Sequence, residues 1–346
     1  MKTVVTGGTG FIGSNLVKKL VDDGRDVIVA SDFSRFGMEN LSGLGLQASD
    51  IEIRDTDLIH YSQALKAVEG AETVFHLAAR VGSLEYLHGT ETAELVTLQA
   101  NLAIDANIFR ACLEKGVKKL VYASSCAVYD MSRQLTSGTV FRESEMQFSS
   151  SFTPEIPPGI VNPDGGYGWS KLMGELQLNW TKSLDIGIAR MYTIYGINEP
   201  IAEGKAHAVG DIIRKVLRLS SPATLRVFGD GRQTRDFLYV TDCVDVLSRL
   251  EKVASHPTVT VNVGSGIATS IGELAKKIVK ISGKDIRLEF DTTKPMGPIS
   301  RTADMTYAKQ VLGWQPKVSL DEGLKLTYHW VEGKFRRRNE NTRQTG

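Results

Sequence analysis

The sequence predicts an α/β fold: a doubly wound parallel sheet with helices on both faces and a smaller C-terminal α/β lobe. Three observations carry this. Strand-like and helix-like segments alternate through the first half, the pattern of a parallel sheet covered on both sides. A glycine-rich stretch, Thr6-Gly7-Gly8-Thr9-Gly10-Phe11-Ile12-Gly13, joins the first strand-like run to an amphipathic segment, Phe11 to Val21. The strand-like runs also end in small or polar clusters: Gly7–Gly13, Asp32, Asp55-Thr56, Ala78-Ala79 and Ser124-Ser125. Ligands of such sheets bind at those carboxyl ends.

Short apolar runs place strands at Thr3–Val5, Val27–Ala30, Ile51–Ile53, Thr73–Leu77, Leu120–Ala123 and Ile186–Ala189. Helices fall between them, notably at Thr97–Lys115 and Tyr167–Ser183. From Asp130 to Gly166 the chain holds serines, prolines and few periodic apolar residues, so a long loop is expected there. It connects Ser125 to Tyr167 and should border the active site. The second half mixes helices (Val209–Leu219, Val244–Val253, Ile271–Ile281, Leu320–Val331) with short strands (Leu225–Val227, Thr260–Val263, Arg287–Phe290). We therefore expect residues 1–189 with 236–263 to form the dinucleotide-binding domain and 190–235 with 264–335 the second lobe. Residues 336–346 form a basic tail, expected to be frayed. No Gly/Ser tract separates the two parts, so they should pack tightly.

Composition narrows the function classes. A hydrophobic content of 42% over 346 residues is ample for a core, and 41 basic against 40 acidic residues leave a net charge of +1. Nothing favours nucleic acid or an anionic membrane. No apolar run approaches the ~20 residues of a membrane span. The chain enters a strand at once, leaving no room for a signal peptide, so a cytoplasmic protein is expected. Cys112, Cys126 and Cys243 are few and widely spaced, which reads as reduced thiols, with neither a disulfide framework nor a metal site.

A strand, a glycine turn and a helix in that order form a dinucleotide site. Gly7 makes the tight turn, Gly10 lets the backbone approach a pyrophosphate, and Gly13 lets helix and strand pack closely. Phe11, Ile12 and Gly13 then offer the free N–H groups and positive dipole end of a helix. Asp32 follows the second strand, where a carboxylate accepts hydrogen bonds from the adenosine ribose hydroxyls and repels a 2′-phosphate. The expected cofactor is NAD, with Arg35 the one neighbour that pulls towards NADP.

Tyr167 and Lys171 stand at i and i+4 on a predicted helix and share a face. An ammonium beside a phenol favours the phenolate, a general base for an alcohol. Bringing a tyrosine from about 10 to near 7 takes roughly 4 kcal/mol. A desolvated lysine together with a positive nicotinamide ring is expected to supply it.

Here a resemblance enters. The glycine stretch at 6–13, His-Leu-Ala-Ala at 76–79, Ala-Ser-Ser-Cys-Ala-Val-Tyr at 123–129 and Tyr-Gly-Trp-Ser-Lys at 167–171 resemble the extended short-chain dehydrogenase/reductase family, whose core is a Rossmann-type sheet. Phe-Gly-Asp-Gly-Arg-Gln-Thr-Arg-Asp-Phe at 228–237, Arg-Thr-Ala-Asp at 301–304 and Leu-Gly-Trp-Gln-Pro at 312–316 resemble its nucleotide-sugar epimerase/dehydratase branch. The resemblance implies roles. Ser125, Tyr167 and Lys171 match the catalytic hydroxyl, the base and its partner. Asp55 and Thr56 match a pair beside the adenine. Leu77, Ala78 and Ala79 line the cofactor, and Asn101 lies near it. Ser83, Ser125, Tyr167, Thr193, Arg235 and Arg301 match substrate positions, the two arginines on the diphosphate. A homodimer through the helices near 97–115 and 167–183 is also implied, with Ile104, Ile108, Phe109, Leu172, Leu176, Leu178 and Trp180 as the excess apolar residues.

The expected activity is a nucleotide-sugar 4-epimerase that works through a transient 4-ketose. A GDP-mannose 3,5-epimerase-like enzyme, a 4,6-dehydratase, a 4-keto reductase and a non-catalytic NAD sensor are the alternatives. Thr193 stands where the family carries an asparagine. Cys126 and Ala127 stand where dehydratases carry an acidic pair, so elimination should be slow. Glu143 and Glu145 in the long loop are the fallback acids.

Overall fold

The computed structural model describes residues 2–81, 90–146, 161–203, 205–293 and 297–344. The glycine turn links strand β1 (Lys2–Thr6) to helix α1 (Phe11–Asp22); β2 (Asp26–Ser31), α2 (Glu39–Ser42), β3 (Glu52–Asp55), α3 (Tyr61–Val68), β4 (Thr73–His76), α4 (Glu91–Glu114) and β5 (Lys119–Ser125) follow. The next elements are α5 (Met131–Gln134), β6 (Val140–Phe141), α6 (Gly165–Asn179), β7 (Asp185–Met191), β8 (Thr193–Tyr195), α7 (Ala208–Arg218), β9 (Ala223–Phe228) and β10 (Thr234–Tyr239). Then come α8 (Val240–Val253), β11 (Val259–Val263), β12 (Ala268–Ser270), α9 (Ile271–Ser282), β13 (Ile286–Asp291), β14 (Ser300–Ala303), α10 (Thr306–Leu312) and α11 (Leu320–Gln344).

Seven strands form one sheet in the order β3-β2-β1-β4-β5-β7-β11, and every pairing is parallel. The order reverses between β1 and β4, which makes that point the ligand crevice of a Rossmann-type sheet. The inner strands β1, β2, β4 and β5 are buried on both faces (Val4, Val5, Ile28, Val29, Val74, Phe75, Leu120 and Val121 are all inaccessible), as a helix-covered parallel sheet requires. A second sheet runs β12-β10-β14-β6, with β8 also on β10, and β13 pairs with β9. One hydrophobic core runs from Val5 and Leu16 through Val240 and Leu247 to Trp314 and Leu324, so the C-terminal part is packed onto the main sheet without a gap.

Three expectations change. The stretch 130–166 is not all loop: α5, β6 and a 3-10 turn at Glu143–Glu145 lie within it, and β6 pairs with β14 far along the chain. Strand Val140–Phe141 has only two residues, too short for any periodicity to reveal. The basic tail is helical through Gln344 as the continuation of α11. No proline interrupts it, and Glu332 pairs with Arg336 at 3.2 Å one turn on. Finally, Ile104, Ile108, Phe109, Leu172 and Leu178 are buried within this chain. Trp180, just past α6, is exposed as expected, and the other apolar residues that α4 and α6 leave exposed are Leu95, Val96, Leu113, Trp169 and Met173.

Candidate active site

The glycine turn has the shape that a pyrophosphate needs. Gly7 has φ +68°, and a Cβ there would stand 3.0 Å from the Ala78 backbone. A Cβ on Gly13 would meet the Gly7 carbonyl at 2.1 Å, so only glycine lets α1 start this close to β1. Gly10 caps α1 without a side-chain hydrogen bond, and the first turn holds no acid. The N–H groups of Phe11 and Ile12 therefore face an open, positive helix end. These features fit a dinucleotide.

Around this turn the other expected cofactor residues gather on one rim. Asp32 follows β2, exposed, its carboxylate accepting from Ser34 N at 3.1 Å and from the Ser34 hydroxyl at 2.8 Å. Asp55 ends the neighbouring β3, and Thr56 N donates to Ser31 O at 3.0 Å. Leu77 and Ala78 donate their N–H groups to Thr6 Oγ1, both at 3.2 Å, which holds the chain after β4 against β1. Asn101 is fully buried and clamps the segment after Ala79: its Oδ1 accepts from Arg80 N at 2.7 Å and its Nδ2 donates to Arg80 O at 3.0 Å. The Arg35 guanidinium donates to the Val81 carbonyl.

Ser125 ends β5. Its Oγ accepts from Ala127 N at 3.2 Å and so caps the 3-10 turn at Cys126–Val128. Helix α6 packs directly on that turn. Gly168 allows it, since a Cβ there would lie 2.5 Å from the Ala127 carbonyl. Tyr167 in the first turn of α6 consequently faces the Ser125 hydroxyl. Burial pushes the Tyr167 phenol well above its ordinary value, and the Ser125 hydroxyl and Arg301 guanidinium oppose that rise. Lys171 follows one turn later, 1% exposed. Burial draws its pKa down, while the carboxylates of Asp105 and Glu175 pull it up. Its ammonium is thus shared with two carboxylates, one of which, Asp105, lies on a different helix.

Two arginines stand near these residues. Arg235 on β10 and Arg301 on β14 stand opposite each other in register. Burial, then the neighbouring Arg301, lowers the Arg235 guanidinium to about 10. Arg235 donates to Pro298 O at 2.7 Å, while Arg301 donates to Gln134 and pairs with Asp164, the residue that opens α6. Both arginines act on the Cys126 thiol, which burial nevertheless pushes up. Thr193 on β8 pairs with Phe237 two residues beyond Arg235. Ser83 lies outside the described residues. The fallback acids are engaged elsewhere: Glu143 accepts from Asn262 N at 2.7 Å, and Glu145 pairs with Arg133.

Sequence reasoning missed a second layer. Arg190, inaccessible at the end of β7, pairs with Glu175 at 2.7 Å and donates to Tyr129 Oη at 3.2 Å. Glu175 also accepts from the Ser124 hydroxyl at 2.5 Å, so this pair ties α6 to β5 beside the catalytic candidates. The signal was present, since Glu175 is one turn after Lys171, but only the fold supplies its partner.

Among the described residues, no helix is long and apolar enough to cross a membrane. The sequence model of the NAD dependent epimerase/dehydratase family matches residues 3–264. The chain is 29% identical to GDP-mannose 3,5-epimerase 1 of Oryza sativa subsp. japonica, over 96% of this chain and 82% of that protein. It is 31% identical to UDP-glucose 4-epimerase of Mycolicibacterium smegmatis, over 96% and 99%. Among solved structures, the UDP-glucose 4-epimerase of Thermotoga maritima with UDP-glucose superposes with a TM-score of 0.80 at 26% identity, over 97% of this chain and 100% of that one. A glycine cradle at the switch point, with a serine, tyrosine and lysine on the adjoining rim, is thus accompanied by a match over most of the chain, and the protein belongs to the NAD-dependent epimerase/dehydratase family.

Proposed function

We propose that this protein is an NAD-dependent nucleotide-sugar epimerase acting at C4 of the sugar. One observation supports the reading: Tyr167 faces Ser125 at the end of β5, Lys171 follows one turn later, and Arg301, in register with Arg235, acts on Tyr167. Gly7, Gly10 and Gly13 with the α1 N–H groups would hold the pyrophosphate. Asp32 would hold the adenosine ribose, Asp55 and Thr56 the adenine side, and Leu77, Ala78, Ala79 and Lys171 the nicotinamide half. When bound, NAD supplies a hydride acceptor and returns the hydride.

The chain's own residues do the rest. Arg235 and Arg301 present ten N–H donors in two planar forks, suited to a diphosphate, and neutralise its charge. Arg301 would trade its contacts with Gln134 and Asp164 for the phosphate. Ser125 orients the sugar hydroxyl, and Tyr167 takes its proton as C4 becomes a ketone and later gives it back. The Lys171 ammonium and the Ser125 hydroxyl steady the phenolate during that interval. Reduction from the opposite face of the sugar yields the epimer.

A second reading is favoured by the rice relative: an epimerase of GDP-mannose type acting at two carbons. It requires a second acid/base group beside the serine. Ala127, where that family's cysteine falls, offers none, so the 4-epimerase reading leads. We also propose a homodimer through α4 and α6. The exposure of Leu95, Val96, Leu113, Trp169, Met173 and Trp180 on or beside these helices supports that reading. Sedimentation giving only monomer at micromolar concentration would reject that interface.

The deciding experiment is incubation with UDP-, GDP-, dTDP- and CDP-sugars followed by NMR of the products. An epimer of unchanged mass from one of them is expected. No conversion of any, or steady consumption of reduced cofactor, would overturn the proposal.

A further inference from the structure

Lys171 belongs to a buried charge system that the proposed chemistry does not yet use. Asp105 lies on α4, fully inaccessible, one turn after Asn101. Its Oδ2 accepts from the Tyr122 hydroxyl at 2.5 Å, and its Oδ1 lies 3.0 Å from His76 Nε2. His76 Nδ1 lies 2.7 Å from Thr6 Oγ1. The proton positions follow by counting. Thr6 Oγ1 already accepts from Leu77 N and Ala78 N, so its own proton goes to His76 Nδ1. His76 then carries its proton on Nε2 and donates to Asp105. Burial also holds the imidazole neutral, against the pull of Asp105. Both oxygens of Asp105 are therefore acceptors, which makes it an ionised carboxylate withdrawn from bulk solvent.

Such a charge needs a cation, because a buried unpaired carboxylate costs several kcal/mol. The cation that acts on Asp105 is the Lys171 ammonium. That ammonium sits 4.7 Å from the centroid of the Tyr122 ring, whose hydroxyl is bound to Asp105. The groups facing Lys171 are Asp105 from α4, His76 from β4, Tyr122 from β5, and Glu175 from its own helix. Glu175 is already held by Arg190 and Ser124. Lys171 is the leading cation acting on Asp105.

We propose that Asp105 is a positioning residue: it is the counter-charge that holds the buried Lys171 ammonium in place one helical turn after Tyr167. The chain Thr6–His76–Asp105–Tyr122 then anchors Lys171 to the first strand of the cofactor cradle. The catalytic meaning of this assignment rests on the function proposed above, but the charge relation does not.

The test reads Lys171 directly. In protein labelled at lysine Cε and Nζ, the Lys171 resonance is the one lost in Lys171→Met. Asp105→Asn should lower the midpoint of its titration by at least about one pH unit, roughly tenfold in proton affinity. Tyr122→Phe removes a hydrogen bond but no charge and should move it by much less. An unmoved Lys171 in Asp105→Asn overturns the proposal. Should Asp105→Asn not fold, stability decides. Lys171→Met strands the Asp105 charge, so Lys171→Met/Asp105→Asn should melt at a higher temperature than Lys171→Met alone, and a lower melting temperature overturns the proposal. A shifted Lys171 titration in a protein that converts no nucleotide sugar would keep the Asp105 assignment and reject the proposed function.

Discussion

Arg235 and Arg301 stand in register on paired parallel strands, and burial, then the nearby Arg301 charge, lowers the pKa of the half-buried Arg235 guanidinium. Like charges placed this way repel, and an anion between them relieves the repulsion. Arg235→Ala should therefore raise KM for a nucleotide sugar by roughly tenfold to a hundredfold, the worth of one or two charge-assisted hydrogen bonds. The value of kcat should change far less. A loss confined to kcat, measured by initial rates, would place Arg235 outside the diphosphate site.

Tyr167→Phe removes the phenol proton acceptor and almost no volume. Turnover should fall by about 10²–10⁴, while NAD retained on the purified protein stays near the wild-type amount. Because burial raises the Tyr167 pKa and the base must be deprotonated, kcat/KM in the wild type should climb with pH on its acid side. A rate that falls over the same range would mean that another group is the base.

Asp32 stands exposed at the end of β2, where a ribose diol would meet it and a 2′-phosphate would be repelled. Wild-type protein should bind NAD much more tightly than NADP. Asp32→Ala should weaken NAD by roughly tenfold or more and narrow the preference. Titration by fluorescence or calorimetry measures both affinities, and tighter NADP binding by the wild type contradicts the role.

Elimination chemistry needs an acid beside Ser125, and the neighbours are Cys126 and Ala127. Burial pushes the Cys126 thiol up and so keeps it protonated, and Ala127 has no titratable group. Product mass should equal substrate mass. Loss of water or carbon dioxide as the main outcome in mass spectrometry would show that a more distant acid has taken over.

Glu199 is buried against the start of α7, and burial pushes its carboxyl up to about 8 from an ordinary 4.5. The folded chain holds this proton more tightly than the unfolded one. The group's contribution to stability is complete below about 4.5 and is lost at about 1.4 kcal/mol per pH unit until the pH passes about 8. Glu199→Gln removes that slope. Urea unfolding at pH 5 and pH 8 should show the variant gaining on the wild type at the higher pH. An equal difference at both values would mean that Glu199 ionises normally in the folded state.

The sequence by itself determined what rests on short-range pattern. Strand length, helix periodicity and the glycine turn are local, so β1, β2, β4, β5 and β7 were legible to within a few residues, and so was the glycine turn into α1. Tyr167 and Lys171 were legible because a helix puts i and i+4 on one face. The tertiary structure decided what depends on residues far apart in the chain. It brought Arg301 beside Arg235 by pairing β14 with β10, and it turned part of the 130–166 stretch into a strand by pairing β6 with β14. It gave the ammonium of Lys171 to Asp105, from a helix that sequence reading valued only for Asn101 and for a dimer face. Buried charges are the reason for that division. A charge removed from water must find its partner in space, and the partners of Lys171, Glu175 and Arg301 stand at Asp105, Arg190 and Asp164, on separate segments of the chain.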